Sequence, residues 1–324
     1  MRLNLTKSRT IATVLMIFTI ASIALLPIWA QNKKPATTAP VRMTVTLEVI
    51  GENKRMPEVN REDVIVKQRK DRLKVTSWTP ARGDRAGLDL FILIDDASDP
   101  SLGSQLDELR AFVNAQPPTT SVGVGYMRNA TVEITQNFTT DHSQAAKALR
   151  LPIASVGAFA NPYLSVMDLM KRWPATMNRR EVIMVTDGID RYRRGPRNLL
   201  SISADVDSAS SVAQRTGTII DTIFTRGIGR LGRNFWAITN GQNSLAKLSE
   251  ETSGDSFFLG TQSPVSFKPY LDEVQKMLDN QYILEFQAIP GTKSGLQSVN
   301  LSTEVAGVEL DSADNVWVEA KYDD

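Results

Sequence analysis

The sequence predicts an α/β protein with a doubly wound, mainly parallel sheet, helices on both of its faces, and a small β domain formed by the N- and C-terminal segments. Two wholly apolar runs, 91–94 and 182–185, each lead within two residues to an aspartate, and such runs suit strands buried on both faces. Strand-like and helix-like patterns alternate between residues 88 and 259, which is typical of a parallel sheet covered by helices. The first and last forty residues of the mature chain have the period of two that marks half-buried strands.

Residues 1–30 have the pattern of a secretory signal peptide. Three basic residues precede a long apolar run, and Ala30 is a plausible last residue before cleavage. The apolar run is close to membrane-spanning length, so an uncleaved N-terminal anchor is the alternative. Either reading predicts an exported protein that is periplasmic, secreted or membrane-anchored. Residues 31–40 are polar and contain prolines, as linkers do.

Composition excludes several kinds of chemistry. The 324 residues are 42% hydrophobic and 23% charged, which is ordinary for a globular protein. There is no cysteine, so disulfides, thiolate catalysis and cysteine-bound zinc are excluded, and the single His142 excludes a multi-histidine metal site. The formal net charge of +1 gives no indication of nucleic-acid binding.

The β segment 41–86 opens with a clear alternation over residues 41–49 and continues with short apolar runs near residues 65 and 74. The segment 263–324 is predicted to form a helix, 264–279, and then strands at 282–286, 299–305 and 316–320. Neither segment is large enough to be stable alone. We therefore expect them to pair, with the α/β unit 87–262 inserted between them.

Within the unit 87–262, strands and helices are predicted in alternation. Asn161 followed by Pro162 reads as the N-cap and first residue of a helix, and Gly217 as the end of another. The predicted strands are 91–94, 122–126, 132–134, 182–185, 218–224 and 257–259, and the other predicted helices are about 102–113, 141–149, 203–216 and 244–252.

Two of these strands carry a resemblance. Asp95 directly follows one apolar strand, and Thr186-Asp187-Gly188 ends the other, as in a von Willebrand factor type A domain. The stretches 241–258 and 280–286 are similar to the exported bacterial subgroup called VWFA-related or acidobacterial-type. The resemblance covers about residues 41–286. It implies a VWA/Rossmann-like fold and a binding module rather than an enzyme.

The resemblance also implies a metal-ion-dependent adhesion site. In the family, an Asp-x-Ser-x-Ser loop, a threonine from a second loop and an aspartate from a third bind Mg²⁺, a hard cation that prefers oxygen ligands. Asp95 and Asp187 match the two aspartates. The serine positions hold Ala97 and Asp99, or Ser98 and Pro100 in the register that begins at Asp96, and loop 157–161 contains no threonine.

Two outcomes remain open for this site. Substitute oxygens, including that of Ser101, would give an atypical site for Mg²⁺ or Mn²⁺, and the candidate ligands are Asp95, Ser98, Asp99, Asn161 and Asp187. Alternatively the site is degenerate, and the same side chains cap helices and bind loop amides.

Two further motifs follow the predicted strands. The stretch 227–232 matches GxGxxG, but it comes late in the chain, and we interpret it as a flexible glycine-rich loop. Arginines cluster in the loops after two strands, either as a basic rim for an acidic partner or as a solvated loop. They are Arg191, Arg193, Arg194, Arg197, Arg226, Arg230 and Arg233.

These patterns predict an exported, non-catalytic protein-binding or adhesion module whose partner contacts the loops at Asp95, Asn161 and Asp187. No nucleic-acid partner is expected, and a membrane is involved only through the N-terminal anchor. The alternative is a divalent-metal-dependent hydrolase or phosphotransferase that uses Asp95, Asp96 and Asp187. The sequence has no Walker loop, HExxH motif or nucleophile elbow.

Overall fold

The computed structural model describes residues 38–51, 56–155, 157, 159–192 and 203–320, and these residues belong to one compact unit. The signal or anchor segment 1–30 and most of the linker lie outside the described residues, as do Arg193, Arg194 and Arg197. In the described part, no helix is both long enough and apolar enough to span a bilayer.

Fifteen strands and six α-helices are found in the described part of the chain. The strands are β1 Ala39–Val49, β2 Val64–Gln68, β3 Asp71–Arg72, β4 Lys74–Pro80, β5 Leu88–Asp95, β6 Thr120–Arg128, β7 Thr131–Thr139, β8 Arg179–Thr186, β9 Thr218–Phe224, β10 Ser256–Phe257, β11 Gln281–Ala288, β12 Gly295–Ser298, β13 Asn300–Thr303, β14 Val308–Asp311 and β15 Asn315–Val318. The helices are α1 Gly103–Asn114, α2 His142–Lys147, α3 Pro162–Arg172, α4 Asp205–Thr216, α5 Phe235–Thr252 and α6 Lys268–Asp279.

The central sheet confirms the predicted fold class. Its six strands lie in the order β10-β9-β8-β5-β6-β7, and all neighbours are parallel except β6 and β7, which form an antiparallel hairpin at one edge. The chain winds outward from β5 in one direction and from β8 in the other. The point where the winding reverses therefore lies between β5 and β8, and doubly wound folds place their ligands beyond the carboxyl ends of the strands at such a point.

Alternate side chains of β5 enter two separate cores, which explains why its sequence is continuously apolar. Leu90 and Ile92 pack with residues of α1, α2 and α6 on one face of the sheet. Phe91 and Leu93 pack with residues of α3, α4 and α5 on the other. The buried residues of helix α6 belong to the first of these cores, which shows that the helix packs against the α/β sheet.

The two ends of the described chain meet in a four-stranded antiparallel sheet with the order β14-β1-β11-β4. In its centre Met43 of β1 lies opposite Leu284 of β11. Two smaller sheets, β13-β2-β3 and β12-β15, complete this β region, and its apolar residues form a third core of their own.

Three elements differ from the sequence-based prediction. Helix α5 begins at Phe235 rather than near residue 244, because the Asn234 side chain caps it by accepting a hydrogen bond from the Ala237 N–H at 2.9 Å. Asparagine and glycine in its first half obscure the helical pattern. The strand predicted at 299–305 is limited to β13, Asn300–Thr303, and the short β14 was not predicted.

Candidate functional site at the carboxyl edge of the sheet

Asp95 and Asp187 come together because β5 and β8 are parallel neighbours that end side by side. The Thr186 hydroxyl donates a hydrogen bond to Oδ2 of Asp95 at 2.8 Å. The Ala97 N–H donates to Oδ1 of the same carboxylate at 2.8 Å. Both oxygens of Asp95 are thus engaged by donors from its own loop and from the end of β8.

Asp187 forms a buried ion pair with Arg191, four residues further along the chain. The guanidinium donates from Nη1 to Oδ1 at 3.0 Å and from Nη2 to Oδ2, so the contact is bidentate. The Ile189 N–H also donates to Oδ1, at 3.0 Å. Asp187 is 1% exposed and Arg191 3% exposed, so this pair lies beneath the surface rather than on it.

The electrostatics of the two carboxylates are coupled. Burial, and then the negative charge of Asp187, raise the pKa of Asp95 to about 6. The positive charge of Arg191 and the hydrogen bonds from Ala97 and Thr186 act in the opposite direction. The guanidinium is therefore the cation that compensates both carboxylates.

The glycine-rich stretch that follows β9 closes over this ion pair. Gly227 lies so near that a methyl group on its Cα would overlap the carboxylate of Asp187 and the guanidinium of Arg191. Backbone hydrogen bonds from Asp99 to Arg226 and from Ile228 to Ala97, both 2.9 Å, join the stretch to the Asp95 loop. The segment interpreted as a flexible loop is thus paired with its neighbour through the backbone.

The remaining predicted ligands have local partners. The Ser98 hydroxyl is 2.9 Å from that of Thr225, and the side chain is buried. Oδ1 of Asp99 accepts from the Ser101 N–H at 2.9 Å, and hydrogen bonds from Ser101 lower the pKa of Asp99.

Asn161 acts as the N-cap of α3. Its Oδ1 accepts hydrogen bonds from the N–H groups of Tyr163 and Leu164 at 3.0 and 3.1 Å. Its Nδ2 donates to Asp205 at 2.8 Å. Pro162 occupies the first turn, where the missing N–H costs nothing.

These contacts test the fit of a divalent cation. Within the described ranges, no group of three or more Asp, Glu, His or Cys residues is arranged to hold a metal ion. The oxygens of Asp95 and Asp187 face N–H and O–H donors and a guanidinium, and the oxygen of Asn161 faces two amides. As these side chains lie, the donor set does not fit Mg²⁺ or Mn²⁺.

Asp96 takes no part in the cluster of Asp95 and Asp187. Its oxygens pair with both terminal nitrogens of Arg150, at 2.7 and 3.0 Å, and the Arg150 guanidinium stacks 3.7 Å from the centre of the Tyr126 ring. Of the three carboxylates proposed for a hydrolytic or phosphotransfer site, Asp96 therefore has its own cation, Arg150, whereas Asp95 and Asp187 are compensated by Arg191.

Sequence reasoning missed Arg191, Arg150 and Gly227. Arg191 was grouped with the arginines of a solvated or basic rim, and its burial corrects that interpretation. Arg226 contacts the Gly232 carbonyl and Gln262, both at 2.9 Å, whereas Arg230 and Arg233 are exposed. The one signal available was the spacing of four residues between Asp187 and Arg191.

Exposed aromatic side chains lie on segments that adjoin the buried pair. Phe159 and Tyr192 lie with ring centres 5.5 Å apart and are 55% and 50% exposed. Phe235 and Trp236, at the start of α5, lie 5.6 Å apart and are each 60% exposed. Phe159 lies just before α3 and Tyr192 lies in the segment after β8. Phe235 and Trp236 open α5, which follows β9, so these segments lie at the edge of the sheet where the parallel strands end.

Comparison with solved structures finds distant similarity only. A von Willebrand factor type A protein from Catenulispora acidiphila is 9% identical with a TM-score of 0.45, over 90% of this chain and 76% of that chain. The conserved hypothetical protein BatB from Bacteroides thetaiotaomicron is 15% identical with a TM-score of 0.43, over 59% and 98%. The ArnB paralog VWA2 from Sulfolobus acidocaldarius is 12% identical with a TM-score of 0.35, over 88% and 76%.

No protein-family model matches the sequence, and no curated protein matches it. The assignment therefore rests on the molecule itself: the strand order, the single antiparallel edge strand, and the two aspartates at the ends of β5 and β8. By these features the α/β unit of the chain has the fold of a von Willebrand factor type A domain, as the resemblance in sequence predicted.

Proposed function

We propose that the chain is an exported, non-catalytic protein-binding module whose partner docks on the carboxyl edge of the six-stranded sheet. The observation that carries the proposal is the exposure of four large aromatic side chains, Phe159, Tyr192, Phe235 and Trp236, around one edge. Aromatic residues are enriched at the energetic centres of protein interfaces. Clustered exposed apolar side chains on a soluble fold mark an interaction surface.

The exposed Arg230 and Arg233 lie at the same carboxyl edge of the sheet, in the segment just before Phe235. An aromatic surface beside positive charge suits a protein segment with apolar anchors and acidic flanks. Export rests on the sequence of residues 1–30 alone. The side chains of Asp95, Asn161 and Asp187 are buried, so they support the loops from below instead of contacting the partner.

The test uses a displayed peptide library selected against the purified full-length chain. Selected peptides are expected to combine aromatic or aliphatic residues with acidic ones, and to bind the variant Phe235→Ser/Trp236→Ser at least tenfold more weakly. Because both side chains are exposed, the melting temperature of this variant should stay close to that of the wild type.

The matched control is Met177→Ser. Met177 is 75% exposed and precedes β8, at the opposite edge of the sheet. Peptide binding should be unaffected by this substitution. Equal loss of binding in both variants, or no loss in either, contradicts a docking surface at the carboxyl edge.

A further inference from the structure

A guanidinium group is found beside the two aspartates that the family resemblance assigns to a divalent cation. We infer that Arg191 is a built-in cation that takes the place of Mg²⁺ or Mn²⁺ beside Asp187 and Asp95, so that this edge of the sheet functions without a divalent metal. The inference deepens the proposed binding function and rests on it for the surface concerned.

Arg191 compensates buried negative charge at the ends of β5 and β8. Two carboxylates end neighbouring strands, and both are buried, which is costly unless a positive charge lies close by. Arg191 supplies that charge through two hydrogen bonds to Asp187, and its field acts on Asp95 as well. Two neutral donors, the Ala97 N–H and the Thr186 hydroxyl, satisfy Asp95 further.

The ion pair of Asp187 and Arg191 is closely packed by its neighbours. The Arg191 N–H donates to the Ala160 carbonyl at 2.8 Å, which fixes the backbone from which the guanidinium reaches Asp187. Gly227 lies against both members of the pair, at a distance that admits no side chain. A cation bound by Asp187 would have to displace the guanidinium, because Arg191 occupies both oxygens of that carboxylate.

A carboxylate of a partner has no access to the cation at this site. An adhesion-type metal keeps an open coordination position for a carboxylate of the partner. Arg191 is buried and both of its terminal nitrogens are bound to Asp187, so it offers no such position. Recognition then falls to the exposed side chains on the segments that adjoin the pair, Phe159, Tyr192, Phe235 and Trp236.

The first experiment needs no partner. The full-length protein is freed of metal with a chelator and titrated with Mn²⁺, with binding followed by electron paramagnetic resonance, and its melting temperature is compared in chelator and in millimolar Mg²⁺. We expect no saturable binding of Mn²⁺ and the same melting temperature in both solutions. Saturable Mn²⁺ binding that Asp187→Asn abolishes would overturn the inference.

The second experiment asks whether a free cation of the same shape replaces the side chain. Arg191→Ala is expected to melt at a lower temperature, and millimolar ethylguanidinium should restore part of the loss while the same concentration of urea does not. Arg172→Ala, which removes an arginine from a half-exposed pair with Asp168, is the control and should show no such rescue. A variant at Arg191 that melts like the wild type contradicts a compensating role. If Arg191→Ala does not fold, the Mn²⁺ titration of the wild type decides alone.

Failure of the proposed function is separable from failure of this inference. If no peptide is selected on the carboxyl edge, the binding proposal fails and the metal measurements stand. If peptides are selected but require Mg²⁺, binding at the edge stands and the built-in cation is refuted.

Discussion

Glu181 and Asp221 place two fully buried carboxyl groups on the neighbouring strands β8 and β9, where burial, and then the charge of Glu181, raise the pKa of Asp221. Oε2 of Glu181 accepts from Gln281 at 2.9 Å, and Oδ1 of Asp221 accepts from the Asp255 N–H at 2.9 Å. The remaining oxygens, Oε1 of Glu181 and Oδ2 of Asp221, have no hydrogen-bond donor. A proton retained by one of the two carboxyl groups would supply a donor that these oxygens lack, and burial favours that neutral form by raising the pKa of both groups.

This pair makes stability depend on pH. Burial raises the pKa of both groups, and for Asp221 the charge of Glu181 raises it further. In the unfolded chain both groups have a pKa of about 4. A raised folded pKa contributes stability that is complete below the unfolded value and is lost as pH rises through the folded value. The free energy of unfolding should therefore fall toward alkaline pH, by up to about 1.4 kcal/mol per pH unit for one proton.

Glu181→Gln tests this expectation, because the amide supplies a donor to Asp221 without a titratable proton. Urea unfolding measured from acidic to alkaline pH should show a shallower pH dependence than the wild type and a gain in stability at alkaline pH. Glu285→Gln, on an exposed position of β11, serves as the control and should leave the slope unchanged. Identical slopes for wild type and Glu181→Gln would show that the pair does not retain a proton.

The ion pair of Asp187 and Arg191 gives a second prediction, for a double-mutant cycle. Asp187→Asn or Arg191→Met alone leaves one buried charge without its partner and should cost about 3–5 kcal/mol. The double variant removes both charges, so its loss should be clearly smaller than the sum of the two single losses.

Lys268 and Asp272 provide the control cycle, because they form an exposed pair on α6 with the same spacing. Lys268→Met and Asp272→Asn should each cost no more than about 0.5 kcal/mol, with little coupling. Additive losses at Asp187 and Arg191, measured by chemical denaturation, would mean that the two charges do not compensate each other.

More of the fold than of the candidate site could be predicted from the sequence. Runs such as 91–94 and 182–185 predict strands because burial on both faces leaves no room for polar side chains, and the order of elements then restricts the topology. Asp95 and Asp187 could be placed together because both end parallel strands. Arg191 could not be assigned, because a basic residue in a loop after a strand has the same sequence whether its side chain turns inward or outward.

The glycine at position 227 shows a second limit. In the sequence it belongs to a GxGxxG match, and the motif suggests a need for close backbone approach. Gly227 lies against the ion pair of Asp187 and Arg191. The residues around position 227 do not indicate that this pair is its neighbour. Asn161 is a third case, since the pair Asn161-Pro162 predicts the helix start, whereas the resemblance to the family made the same residue a candidate substitute for a missing threonine ligand.

Gly227→Ala is therefore expected to destabilise the protein. The added methyl group must displace either the Asp187 carboxylate or the Arg191 guanidinium, and overpacking of this kind costs about 1–3 kcal/mol. Gly103→Ala is the control, because Gly103 lies in the first turn of α1 with open space around its Cα, where alanine should be neutral or stabilising. Equal stability of the two variants in urea would show that the stretch 227–232 moves aside without cost.

The last prediction separates a cap from a metal ligand at Asn161. Its side-chain oxygen caps α3 through the N–H groups of Tyr163 and Leu164, so Asn161→Ala should cost about 0.5–2 kcal/mol. Asn161→Ser retains an acceptor oxygen suited to a cap and should recover part of that loss, although it gives up the contact with Asp205. Because the oxygen acts on backbone amides, the losses should be the same in chelator and in millimolar Mg²⁺. A loss for Asn161→Ala that appears only in the presence of Mg²⁺ would instead assign Asn161 to a cation.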